Sequence, residues 1–207
     1  MFYNTVKIIL KIFFKIYNRI SILNADRIPL EGSLILVANH VSYLDPLYIG
    51  VIFPRKLFFM AKKESFNTKL SAWLLGKLGA YPIDRGKADI SAVKTTIKIL
   101  KSGKVLAMFP QGERRGENSM SEIKQGAAYF AVKTNTPIIP VYIQGTEKVM
   151  PKGQKLIKPQ KVRIYVGQEI YPVNNRLSAG EQIDLLTKTV KEAINELAEK
   201  ASSTGEK

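Results

Sequence analysis

The run Ser33-Leu34-Ile35-Leu36-Val37-Ala38 limits the fold of this 207-residue chain more tightly than any other feature. It is entered through Pro29 and Gly32 and is apolar at consecutive rather than alternate positions. A strand that is apolar on both faces needs cover on both, as a strand inside a parallel sheet has. Further strand candidates are Lys56–Ala61, Ala80–Asp84, Val105–Phe109, Ile138–Gln144 and Val162–Val166. Helical stretches fall between them. One starts at Pro46, a residue suited to a first helical position, with Asp45 as its expected N-cap, and runs to Ile52. Others cover 69–78 and 89–101, the latter stopped by Gly103. Ser119-x-x-Glu122 and Ser178-x-x-Glu181 have capping-box spacing for helices near 122–134 and 181–200. The basic segment 146–160, punctuated by prolines and glycine, is the longest expected loop. Strands alternating with helices predict one α/β domain over 24–200, with a largely parallel or mixed central sheet flanked by helices. Residues 201–207 are expected to form a flexible tail.

The formal charge of +15 calls for an anionic partner, whether nucleic acid, phospholipid, phosphorylated substrate or acidic carrier. With no cysteine and one histidine, the chain has neither a disulfide framework nor the ligands of a typical zinc site. No acidic cluster marks a magnesium site, so no metal is expected. The placement of the charge narrows the partner. Residues 2–23 are rich in Phe, Ile, Leu, Val and Tyr, yet Lys7, Lys11, Lys15 and Arg19 recur every fourth residue. On a helix such steps make one slowly drifting cationic stripe and leave a wide apolar arc that includes Ile8, Ile9, Ile12, Phe13, Phe14, Ile16 and Ile20. A spanning helix needs about 20 mostly uncharged residues, and a signal peptide needs an unbroken apolar core with a cleavage site. The segment has neither. It is either a helix packed on the domain with its lysines in water, or a helix lying in the membrane interface with its lysines toward lipid phosphates. The breadth of the apolar arc favours the second, on residues 1–23. Nucleic acid is disfavoured, because the cations gather on an apolar helix and at strand-end turns and no nucleic-acid motif is present. A short, cysteine-free, lysine-rich chain of this kind suits the cytoplasmic face of a cell membrane, held peripherally or monotopically.

The one histidine sits in Asn39-His40-Val41-Ser42-Tyr43-Leu44-Asp45. It is the one side chain able both to take and to give a proton near neutral pH, and Asp45 follows at a spacing that can orient it. Two more chemistry-bearing turns follow strand candidates, where α/β proteins place their sites. Asp84-Arg85-Gly86-Lys87 is one. The other, Phe109 to Gly116, holds Arg114 and Arg115 between glycines, where backbone and guanidinium groups can approach an anion closely.

These blocks, in their order and spacing, resemble the glycerolipid acyltransferase family over roughly residues 30–145. Asn39-His40 through Asp45 resembles its NHxxxxD block, and Tyr81-Pro82-Ile83-Asp84-Arg85 its arginine-ended second block. Phe109-Pro110-Gln111-Gly112-Glu113-Arg114 is similar to its FPEGTR block, and Thr136-Pro137-Ile138-Ile139-Pro140-Val141 to its proline-bearing strand. Lys62 matches the family's lysine after the second strand. Gln111 stands where the family usually has glutamate, and Glu113 where threonine or a small residue is usual.

The resemblance implies acyl transfer from an acyl thioester to the sn-2 hydroxyl of lysophosphatidic acid, giving phosphatidic acid. Acyl-CoA or acyl-carrier protein would enter as co-substrate, with no resident cofactor. A hydroxyl is a poor nucleophile at neutral pH, so a base is needed; His40 is the candidate, with Asp45 accepting its other ring N–H. Arg85 and Arg114, with Lys62 and Arg115, are the candidates for the substrate phosphate. The oxyanion would fall to backbone N–H groups. The same chemistry on another lysolipid, or a basic membrane-surface or nucleic-acid-binding domain without turnover, are the alternatives.

Overall fold

The computed structural model describes residues 2–84, 89–111, 123–151, 154, 156–172 and 177–204. Among these the strands are β1 (Ser21–Leu23), β2 (Leu34–Ala38), β3 (Leu57–Lys62), β4 (Ala80–Ile83), β5 (Val105–Met108), β6 (Ile138–Gln144) and β7 (Arg163–Val166). The helices are α1 (Phe2–Tyr17), α2 (Asp45–Ile52), α3 (Lys69–Lys77), α4 (Ile90–Lys101), α5 (Gly126–Thr134), α6 (Thr146–Val149) and α7 (Ala179–Thr204). The strands make one sheet in the order β1-β7-β6-β2-β5-β3-β4. Every neighbouring pair is parallel except β6 and β7. The expected single α/β domain with a mixed sheet flanked by helices is therefore the architecture present.

The continuous apolar run becomes β2, and its two faces have two different covers. Leu34, Leu36 and Ala38 pack with Phe14, Tyr48 and Ile49 from α1 and α2. Ile35 and Val37 pack with Leu100, Phe130 and Ile194 from α4, α5 and α7. All five strand residues are 0% exposed, and each large one contributes roughly 1.5–3 kcal/mol by leaving water. Pro140 lies within β6, opposite Val37, and costs the ladder one donor. Its carbonyl accepts the Gly167 N–H at 2.8 Å, and a Cβ on Gly167 would sit 2.6 Å from the proline ring.

The N-terminal helix departs from expectation in three ways. It ends at Tyr17, and residues 21–23 instead form the edge strand β1 beside β7. The chain leaves the helix at Asn18, whose buried amide donates to the carbonyls of Lys158 and Gln160 and accepts the Tyr48 hydroxyl. Arg19, expected to continue the cationic stripe, therefore lies beyond the helix in a left-handed turn with φ 46°. Phe14, expected to meet lipid, is 1% exposed and stacks on Tyr48 at 4.2 Å. Lys7, expected to reach a lipid phosphate, donates to the carbonyls of Phe53 and Pro54 at the end of α2. Desolvation there, and then the neighbouring Lys11, lower the pKa of its ammonium. The helix docks through the 3, 6, 7, 10, 14 stripe, leaving Ile8, Ile9, Ile12, Phe13 and Ile16 outside with Lys11 and Lys15. No described helix is long and apolar enough to cross a membrane.

Three smaller expectations shift. Helix α7 runs on to Thr204 with Ala201 fully buried, so the chain is still packed where a tail was expected. The 146–160 segment opens with α6 rather than with loop. Asp45 does not cap α2, which has Leu44 at that position and no side-chain cap. The Ser178–Glu181 capping box forms, with Ser178 N–H on the Glu181 carboxylate at 2.8 Å and Glu181 N–H on the Ser178 hydroxyl at 3.3 Å. The box expected at Ser119–Glu122 lies outside the described residues.

Candidate active site

Because β2 to β6 all run parallel within the sheet, their carboxyl ends share one edge. Asn39 is the first residue past β2 and is 4% exposed. Its side-chain amide does what a peptide would do in a longer strand. It donates to the Ile143 carbonyl at 2.9 Å and accepts the Ile143 N–H at 2.7 Å. The backbone is thereby free to turn away while the sheet stays joined, and His40 emerges at the edge.

Residues 40–45 wrap around the Asp45 carboxylate, which is 0% exposed. Its Oδ2 accepts the N–H groups of Val41 and Ser42 at 2.8 Å each and lies 2.8 Å from His40 Nδ1. A five-residue offset does not align side chains along a helix, and this turn is what brings them together. The other oxygen, Oδ1, accepts the hydroxyl of Thr146 at 2.6 Å from the start of α6. With Nδ1 donating to the carboxylate, Nε2 is the ring nitrogen left to accept a proton. The imidazole stacks on Phe109 at 4.3 Å and keeps 17% of its side chain exposed.

Gln111 explains how a glutamine stands where glutamate is usual. It is 3% exposed, and its Oε1 accepts the backbone N–H of His40 at 2.7 Å. That bond needs an oxygen and no charge. Tyr81, from the second block, is structural: burial pushes its hydroxyl up to about 12, and it bonds Thr96 on α4 at 2.7 Å. Burial, and then the charge of Asp45, hold the Tyr48 hydroxyl well above an ordinary phenol.

His40 borders a cleft of about 1300 Å³. Its walls are apolar: Val6 and Leu10 of α1, Leu47 and Val51 of α2, Phe59 of β3 and Leu75 of α3. Its polar rim includes Lys62, Asp84, Lys124 and Glu147. Lys62 thus lies at the end of β3 on the same opening as His40. Pro140 shapes the sheet and does not line the cleft. Arg85, Gly112, Glu113, Arg114 and Arg115 lie outside the described residues. Thr146, Lys124 and Glu147 were not among the residues singled out by sequence. The one local signal for Thr146 is its place after a glycine at the end of an apolar strand. Among the described residues no three His, Cys, Asp or Glu side chains gather as metal ligands would.

Fold and site together define an α/β protein with a carboxylate-oriented histidine at the carboxyl edge of its sheet, beside a large apolar cleft. The family model described as Acyltransferase matches residues 19–144, and the chain belongs to that family. It is 29% identical to the 1-acyl-sn-glycerol-3-phosphate acyltransferase of Bacillus subtilis over 92% of its own length and 94% of that protein's. It is 37% identical to the Streptococcus pneumoniae enzyme of the same name, over 71% of this chain and 54% of the relative. The crystal structure of the 1-acyl-sn-glycerophosphate acyltransferase from Thermotoga maritima superposes with a TM-score of 0.74 at 26% identity. That match covers 95% of this chain and 81% of the other.

Proposed function

We propose that this protein transfers an acyl group from the thioester of CoA or acyl-carrier protein to the sn-2 hydroxyl of lysophosphatidic acid, giving phosphatidic acid. The observation that carries the reading is the 2.8 Å pairing of His40 Nδ1 with a fully buried carboxylate at the mouth of an apolar cleft. Nε2 takes the acceptor hydroxyl's proton as its oxygen attacks the thioester carbonyl. The tetrahedral intermediate then expels the thiolate, which recovers that proton from His40. Asp45 balances the imidazolium through the interval, and a positioned base of this kind contributes typically 10²–10⁴-fold. The apolar walls suit the acyl chain, and the cations after the strands suit the phosphate: Lys62, Arg85, Arg114 and Arg115.

The lipid substrates fit a protein seated on the cytoplasmic face of the membrane. Support comes from the outward face of α1, where Ile8, Ile9, Ile12, Phe13 and Ile16 are exposed beside Lys11 and Lys15. On α3, Leu70 and Trp73 are also exposed, and Trp73 meets Phe2 of α1 at 5.1 Å between ring centroids. The two helices therefore present one apolar surface.

The test is thiol release by detergent-solubilised protein from acyl-CoA or acyl-carrier protein, against a panel of lysophospholipid acceptors. Turnover is expected with lysophosphatidic acid and is lost in His40→Ala with the thermal transition unchanged. Normal turnover by the alanine variant would overturn the mechanism, and preference for another acceptor would overturn the substrate.

A further inference from the structure

We infer that Thr146 is a positioning residue for the reaction: its hydroxyl holds the Asp45 carboxylate in the orientation that faces His40. The inference rests on the acyl-transfer reading for its kinetic consequences. The four donors to Asp45 are unequally shared. Three converge on Oδ2, and among the described residues Thr146 alone supplies Oδ1. The Oδ1 bond lies where water cannot replace it, since Asp45 and Thr146 are both 0% exposed. Without that hydroxyl Oδ1 would lose its one donor among the described residues, and the carboxylate would turn to find another.

Thr146 is itself rigidly placed. It follows Gly145, whose φ of +96° belongs to the left-handed region and where a Cβ would lie 2.2 Å from the Lys161 carbonyl oxygen. The Gly145 N–H is held by the Glu147 carboxylate at 3.0 Å, and Val149 one turn on is fully buried. The hydroxyl thus comes from a closely packed element. Asp45 and Thr146 are 101 positions apart, so this bond ties the end of β6 to the turn after β2 through the reacting pair. The same segment supplies Glu147, Met150 and Pro151 to the cleft wall.

Two substitutions separate a donor from a space-filler. Thr146→Val keeps the shape and removes the hydroxyl; Thr146→Ser keeps the hydroxyl and removes a methyl. If the bond positions Asp45, Val lowers kcat about 10- to 100-fold with little change in KM for donor or acceptor. Ser then stays within about threefold of wild type, even if its thermal transition falls. A packing role gives the reverse order, and that order overturns the proposal. A second readout needs no substrate. His40 is the single histidine, so ¹⁵N-histidine labelling gives one imidazole spectrum with no assignment step. The hydrogen-bonded Nδ1 signal is expected to persist in Ser and to shift or exchange rapidly in Val. Wild-type ring spectra in Val, with wild-type kcat, would refute the inference. Failure of the wild type to use lysophosphatidic acid would count against the acceptor instead, and the ring spectra would still decide Thr146.

Discussion

Replacing Asp45 by asparagine removes the charge behind His40 while leaving the turn around it able to form. The Val41 and Ser42 N–H groups both point at Oδ2, so the asparagine carbonyl oxygen must take that position. The amide nitrogen then faces Thr146, whose hydroxyl can accept as well as donate. His40 Nδ1 still meets an oxygen, so the tautomer survives. What disappears is stabilisation of the imidazolium. For charge centres roughly 4 Å apart at an effective dielectric of about 20, that is about 4 kcal/mol, or three decades in kcat. Stability changes little, because weaker neutral hydrogen bonds are offset by relief of a buried charge. The assay is initial-rate thiol release under saturating donor and acceptor, beside a thermal melt of each protein. A kcat within tenfold of wild type would show that the charge does not serve the reaction. Collapse of the melt would show that the donors around Oδ2 are not arranged as described.

Phe14→Ala, which empties the site against Tyr48, should cost about 3–5 kcal/mol in denaturant unfolding. Ile12→Ser on the exposed face of the same helix should leave the unfolding midpoint in place and weaken sedimentation with anionic vesicles. Equal effects from the two would mean that the helix does not dock as described. Gln111→Glu keeps an oxygen for the His40 N–H and should retain turnover within about tenfold, whereas Gln111→Leu strands that donor and should lose more. A glutamate variant as inactive as leucine would give the amide a role of its own. Asp89, the N-cap of α4, is held below the ordinary carboxylate range by the backbone N–H groups of Asp84 and then Ala92. Its stabilisation is complete above the unfolded carboxyl's value and vanishes as pH falls through the lower folded one. Asp89→Ala should therefore lower Tm at neutral pH and match wild type in strong acid; the same deficit at both would refute the assignment.

The parallel core was legible because its strands are short and apolar on consecutive positions, which admits few alternatives. His40 and Asp45 were legible because one turn contains both. β1 was not: Ile20, Ser21, Ile22 and Leu23 prolong an apolar helical pattern, and the bonds that end the helix come from residues 158–162, far along the chain. Phe13 and Phe14 are adjacent in a segment apolar on nearly every side, so periodicity alone did not say which one the core takes. The same holds for Lys7, since a lysine turned inward to helix-end carbonyls has no local mark. Thr146 and the backbone bond of Gln111 are tertiary contacts over 101 and 71 positions, and neither residue's neighbours announce a partner.

The joint between α1 and β1 also has a history in time. Asn18 is bonded by Tyr48, but also by the carbonyls of Lys158 and Gln160, and Ser21–Leu23 pair with Arg163–Tyr165. At the usual pace of translation, on the order of ten seconds separates the emergence of Tyr48 from that of β7. Through that interval the first helix has its α2 partner but no sheet to anchor its end. The joint that ends α1 is thus among the last parts of the domain to be fastened, since its partners lie 140 positions and more further along the chain.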